Sequence, residues 1–301
     1  MYKRLSIALK NPKVSITLRL ATLTLLGSLA WFKFKGLEFS AALIEVGLMS
    51  PLLAAAALSV ANLSTETVKY QSLLGKNRID FANAFRSVLA GMSVGIWTPN
   101  RVGEFIGRLR YAPHGGKKKS MGATVTGSLL QGGVTILFGC VGLAFFDFQV
   151  DFPLDLNLVL AGSLILSLAL VVVFRRGPIA AFRRKHVEIS GSQISVAFAW
   201  AILRYAIFST QFVILLYAFG FNGTLLEAFS GVFLLYAIQS YIPGSFLSEL
   251  GVREVLAVLF FSSFFDNPIG APLAAFCLWS LNIGLPILSW SLYSGVKKLE
   301  A

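Results

Sequence analysis

Residues 97–105 read Trp97-Thr98-Pro99-Asn100-Arg101-Val102-Gly103-Glu104-Phe105, and they interrupt the otherwise apolar stretch Phe85–Tyr111. Proline removes a backbone donor and cuts a helix, and the groups exposed at such a break need polar partners. The arms Ser87–Trp97 and Arg101–Tyr111 would each reach roughly 16 Å at helical rise, about half a bilayer. Gly91 and Gly95 in the first arm, with Gly103 and Gly107 in the second, are small residues four apart. That spacing lets two helices approach closely. The stretch therefore predicts a hairpin that enters a membrane and turns back. A second apolar stretch, Leu225–Phe265, is broken by Pro243-Gly244-Ser245 and continues through Glu249-Leu250-Gly251-Val252-Arg253-Glu254.

Working outward, the rest of the chain is membrane-like. Of its 301 residues, 56% are hydrophobic and only 13% are charged, about half the charge a soluble domain carries. Full spans need about 20 apolar residues. Six segments qualify: Ile16–Phe34, Ala41–Leu63, Met121–Phe146, Asp155–Phe174, Ser195–Phe219 and Leu273–Val296. The first of these follows a basic N-terminus and is expected to stay as a signal anchor rather than be cleaved. The formal net charge is +12. It is concentrated in short loops, so it reports membrane orientation rather than a nucleic-acid partner.

Those loops orient the spans. Basic clusters at the N-terminus, at Lys69/Lys76/Arg78, at Arg108/Arg110 with Lys117-Lys118-Lys119, at Arg175–Lys185 and at Lys297-Lys298 are placed in the cytoplasm. The loops holding Asp147/Asp151/Asp155, Phe221-Asn222-Gly223 and Asp266-Asn267-Pro268 carry no basic residue and are placed outside. Lys33 and Lys35 are read as snorkelling beside Trp31 and Phe32. The first broken region then enters and leaves on the inside, the second on the outside. The expectation is an all-α polytopic membrane protein: six transmembrane helices plus two broken or re-entrant hairpins in an inverted-topology repeat. One integral membrane domain covers residues 1–301, with pseudo-repeats 1–150 and 151–301, both termini cytoplasmic, in a bacterial inner membrane.

The breaks also carry the chemistry. Interrupted segments at corresponding places in two halves point to a transporter's binding site. A charge held in mid-bilayer costs about 2.5–3.5 kcal/mol, so several in one protein imply pairing, a wet cavity, or both. Arg101, Glu104, Arg108, Glu249, Arg253 and Glu254 sit at the breaks, and Arg204 lies mid-span. Two readings stand side by side. In one, Glu104 with Arg108 and Glu249 with Arg253 pair at helical spacing and lock the hairpins. In the other, Arg101 and Arg253 face an anionic headgroup while Glu104 and Glu254 orient them or carry protons. Arginine suits phosphate because its fork binds bidentately. Arg204 is expected to point inward toward Glu249 or Glu254, as a structural ion pair or a substrate ligand. Glu45, nearer the end of its span, is read as structural. Gln131, Gln211, Gln239 and Asn282 are read as hydrogen-bond partners between helices. Cys140 and Cys277 fit packing, and His114 and His186 fit solvated loops. No metal ligand set and no cofactor motif is present, and Gly115-Gly116-Lys117 lacks phosphate-loop spacing.

At these two breaks the sequence resembles the lysylphosphatidylglycerol-synthase transmembrane family, also called flippase-like proteins. Trp97 to Phe105 with its basic loop is similar to the first signature, and Pro243 to Glu254, ending Leu250-Gly251-Val252-Arg253-Glu254, to the second. Asn100 stands where the family often has glycine, and Ser248-Glu249 stand where it is usually glycine-rich. The resemblance implies a stand-alone translocator-like module without a soluble aminoacyl-transfer domain. It would act on a membrane lipid or a polyprenyl-phosphate-linked lipid at a midplane site between the hairpins. The hairpin breaks themselves are assigned to Pro99, Gly103, Pro243, Gly244 and Gly251. Two alternatives stay open: a membrane-embedded lipid-linked glycosyltransferase using Asp147, Asp151 and Asp155, or a non-transporting partner of another membrane enzyme.

Overall fold

A computed structural model describes residues 48–98, 101–112, 116–146, 189–242 and 246–299, with only the backbone described at 77, 246–250 and 295–299. The expected spans Ile16–Phe34 and Asp155–Phe174 lie outside these residues, as do Glu45, the outer aspartates, His114 and His186.

Helix α1 covers Met49–Leu74, and its start is rich in alanine, the best helix former. It ends at Gly75, whose φ of 58° only glycine adopts without strain. Helix α2, Phe81–Gly95, is capped by Asp80, whose side chain accepts from the Asn83 backbone N–H. That bond holds the exposed Asp80 carboxyl below its ordinary pKa. A short helix α3, Gly103–Leu109, follows the break. Helix α4 runs from Lys117 to Phe145 and α5 from Gly191 to Ala218, the latter opened by a Ser190/Gln193 capping box. Helix α6, Leu225–Gln239, opens with a Thr224/Glu227 capping box. Helix α7 is Phe246–Phe261. Helices α8, Gly270–Trp279, and α9, Leu285–Leu299, are joined by a π-helical turn at Ser280–Gly284. Among the described residues, the extended structure is a single antiparallel bridge between Phe221 and Phe265.

Helices α4, α5 and the joined α8–α9 are each long and apolar enough to cross a membrane. Leu53, Val60, Leu137, Phe145, Val255 and Leu292 stand exposed on their outer faces, as helices facing lipid require. The core is aromatic and aliphatic: Phe212, Leu215, Leu234 and Phe261 are almost wholly buried.

Three contacts set the register of α1 against α5. Gln193 Nε2 donates to the carbonyl of Ser72, Arg204 Nε to Asn62 Oδ1, and Gln211 Nε2 to the carbonyl of Ala55. The two helices therefore run antiparallel. In the α2–α3 hairpin, a Cβ on Gly103 would lie 2.5 Å from the Val94 carbonyl oxygen, and one on Gly107 would strike the Ala90 carbonyl. The arms are thus in backbone contact, the close approach that the glycine spacing predicts.

The hairpins approach from opposite ends of α5. The first starts beside the C-terminal end of α1, which is the N-terminal end of α5. The second, α6–α7, starts at the far end, where Asn222 N–H donates to the Phe264 carbonyl at 2.9 Å. Gln239 meets Arg253 near its tip, and Gly231 meets Phe261 near its base.

Two expectations need correction. The span expected at Ala41–Leu63 continues as helix to Leu74, so Lys69 is a buried helical residue and not part of a cytoplasmic loop. It stays in the interior because Glu66, three residues before it, neutralises it. Gly251 is not a break: it lies inside α7, which starts at Phe246.

Candidate functional site

The small and polar face of α1 sets up the site. Ala55, Ser59, Asn62, Glu66 and Lys69 recur at alternating intervals of four and three and are all buried, so they form one stripe along the helix. Glu66 is its centre. One carboxylate oxygen meets Arg108 Nη2 at 2.9 Å, and the other meets Lys69 Nζ at 2.6 Å and Arg204 Nη1 at 2.9 Å. Three helices, α1, α3 and α5, are tied together by this one side chain.

Arg108 is buried and stacks over the Tyr70 ring with its charge centre 4.9 Å from the centroid. The backbone carbonyl of Arg108 accepts from Ser87 Oγ on α2 at 3.2 Å. Its guanidinium also lies 3.7 Å from Glu104. Glu104 in turn pairs with Arg101 at 3.6 Å, where the Arg101 side chain is 35% exposed. Arg101 has φ 54°, a left-handed conformation that costs a non-glycine residue about 1–3 kcal/mol and clusters at functional sites. Thr98 supports this turn: its hydroxyl donates to the Gly95 carbonyl and accepts from the Gly103 N–H at 2.7 Å.

A directed chain of amides leads away from the charges. Arg204 donates to Asn62 Oδ1, Asn62 Nδ2 donates to Asn282 Oδ1 at 2.6 Å, Asn282 Nδ2 donates to Gln211 Oε1, and Gln211 donates to the Ala55 carbonyl. Each amide accepts and donates, so its orientation follows from its neighbours. Asn282 belongs to the π turn, a local insertion frequent at functional sites. Gln131 accepts from Lys69 at 3.2 Å and from Arg204 at 3.3 Å.

These groups surround a cavity of about 560 Å³, within the usual range for small-ligand sites of about 300–1,000 Å³. Its wall includes Arg101, Glu104 and Arg108 from the first hairpin, Gln239 and Arg253 from the second, and Asn62, Glu66, Lys69 and Arg204 between them. Arg253 is 7% exposed, its Nε donates to Gln239 Oε1 at 3.4 Å, and its charge centre sits 5.7 Å from the Tyr236 ring centroid.

Of the residues singled out in the sequence, Arg101, Glu104, Arg108, Arg204 and Arg253 converge on this cavity. Arg204 pairs with Glu66 and not with a carboxylate of the second break, because antiparallel packing sets it opposite the Asn62–Glu66 turn of α1. Glu254 is partly buried but is not part of the cavity wall. Gly103 opens α3. The Glu249 side chain and residues Pro99, Pro243 and Gly244 lie outside the described residues. Gln131, Gln211, Gln239 and Asn282 all bond between helices. Among the described residues both cysteines are free thiols, and no cluster of metal-ligating side chains occurs. Asn62, Glu66 and Lys69 were not anticipated; the four-and-three spacing from Ala55 onward was the available signal.

An all-helical chain with membrane-length helices and charges gathered inside defines a multi-pass membrane protein. Residues 16–288 match the family described as the lysylphosphatidylglycerol synthase TM region, and the chain belongs to that family, a membrane family tied to lipids. No curated protein matches the chain.

Proposed function

We propose that this protein is a flippase-like translocator that carries the headgroup of a lipid or lipid-linked substrate through the cavity between its two hairpins. The observation that carries this reading is a wall of five basic side chains, Lys69, Arg101, Arg108, Arg204 and Arg253, against two carboxylates, Glu66 and Glu104, among the described residues. Such a surface attracts phosphate, and it sits where a headgroup crossing an apolar core needs polar contacts. Family membership supports a lipid substrate.

The hairpins form an inverted-topology repeat in this reading, and alternating exposure of the site from opposite ends moves the headgroup while acyl chains stay in lipid. Arg101 and Arg253 bind phosphate. Glu104 orients Arg101, and Arg204 supports the bound group from α5. Both termini face the cytoplasm of a bacterial inner membrane.

The test is leaflet-resolved lipid movement in proteoliposomes. Wild type is compared with an Arg101→Ala, Arg253→Ala double variant of equal folded yield. The double variant is expected to lose at least tenfold in rate. Equal, non-zero rates would remove the arginines as the phosphate site. No movement of any lipid by folded wild type would remove the translocator reading and favour a non-transporting partner or a membrane enzyme.

A further inference from the structure

We infer that the cavity selects headgroups carrying at least two negative charges on phosphate, a phosphomonoester or a diphosphate, and rejects headgroups made cationic by an aminoacyl group. This inference rests on the translocator reading and names its substrate class.

The two carboxylates in the wall are already engaged. Glu66 receives Lys69, Arg108 and Arg204, and Glu104 receives Arg101 and Arg108. Cations therefore exceed carboxylates by three among the described lining residues. Adding Glu249 and Glu254, the other carboxylates of the second break, would still leave five cations against four.

Arg253 points most directly to the missing charge. It is 7% exposed, yet its partners among the described residues are neutral, the Gln239 amide and the Tyr236 ring. Buried charges are normally paired, and here the pairing charge is one that a ligand can bring. Arg204 is similarly available: its side chain is 30% exposed, and its hydrogen bonds among the described residues are made by Nε and Nη1.

A lysylated phosphatidylglycerol headgroup would set two ammonium groups against one phosphate. Ammonium groups bind to carboxylates or over aromatic faces. In this wall both carboxylates are already paired and Arg253 covers the Tyr236 face, so an incoming ammonium meets an excess of cations. The wall that welcomes a dianion therefore repels the aminoacylated lipid from which the family takes its name.

The test ranks lipids on the full chain. Phosphatidic acid, polyprenyl phosphate, phosphatidylglycerol, phosphatidylcholine and lysylphosphatidylglycerol are compared twice: for binding to the detergent-solubilised protein by native mass spectrometry, and for movement in proteoliposomes. Phosphatidic acid and polyprenyl phosphate are expected to bind at least tenfold tighter than the other three, and Arg253→Gln to narrow that ratio toward one. The wild-type ranking decides without any variant. Lysylphosphatidylglycerol binding as tightly as phosphatidic acid, or equal binding of all five, overturns the inference; movement of the lysylated lipid would then leave the translocator reading standing. Selective binding of the dianionic lipids with no movement of any lipid upholds the inference and removes the translocator reading. Absence of lipid binding overturns both. Displacement of phosphatidic acid by soluble glycerol 3-phosphate at equal concentration makes the ligand a free phosphate and overturns the lipid assignment.

Discussion

Glu66 holds together more of this protein than any other charged residue described. Lys69, Arg108 and Arg204 all rest on its two oxygens within 3 Å. Breaking a buried ion pair by removing one partner costs about 3–5 kcal/mol, because the remaining charge is left uncompensated. Glu66→Gln is therefore expected to lower stability by about that much, measured as thermal unfolding in detergent followed by size-exclusion fluorescence. Glu66→Gln combined with Lys69→Met should recover part of the loss, since one stranded cation is gone. A double variant no more stable than Glu66→Gln alone would mean that Lys69 does not depend on Glu66. Hydropathy alone hid these residues. The window falls after Leu63, which reads as the end of a span, while the helix runs eleven residues further to Leu74.

At the scale of elements, the α2–α3 hairpin depends on the absence of two methyl groups. Gly107→Ala pushes a methyl into the Ala90 carbonyl, which is backbone and cannot swing aside. Overpacking of this kind costs about 1–3 kcal/mol, and here it also pushes the arm that carries Arg101 and Arg108 away from α2. Gly133, in the interior of α4, has nothing within 4 Å of an added Cβ, so Gly133→Ala is expected to be neutral or to stabilise by up to about 1 kcal/mol. Thermal unfolding of the two variants side by side checks the contrast, and similar behaviour would refute the close packing of the hairpin. This packing was legible in the sequence, because four-residue glycine spacing on both arms translates directly into one smooth face per arm. The second break was less legible: Gly251 resembled a hinge in sequence, but the helix starts earlier and runs through it.

At the scale of the whole molecule, the bridge between Phe221 and Phe265 puts the loops after α5 and α7 at one end, and Gln193 with Ser72 marks the other. With the proposed orientation, a cysteine at Asn222 in a background lacking Cys140 and Cys277 should react with a membrane-impermeant maleimide on intact cells. One at Ser192 should react only after permeabilisation. Labelling of both from one side would contradict the opposed ends of α5, and the reverse pattern would invert the cytoplasmic assignment of the termini.

Composition and the apolar lengths were enough to determine a helical membrane protein. In lipid every backbone polar group must be satisfied within its own helix, so hydropathy maps directly onto structure. The breaks and their arginines were equally plain, because charge in an apolar run is conspicuous. Which charges meet was decided only by tertiary structure. Arg204 and Glu66 stand 138 residues apart in the sequence, and only the antiparallel packing of α5 on α1 brings them to 2.9 Å. A buried ion pair is a relation between two helices in space, and neither helix alone carries the information that fixes it.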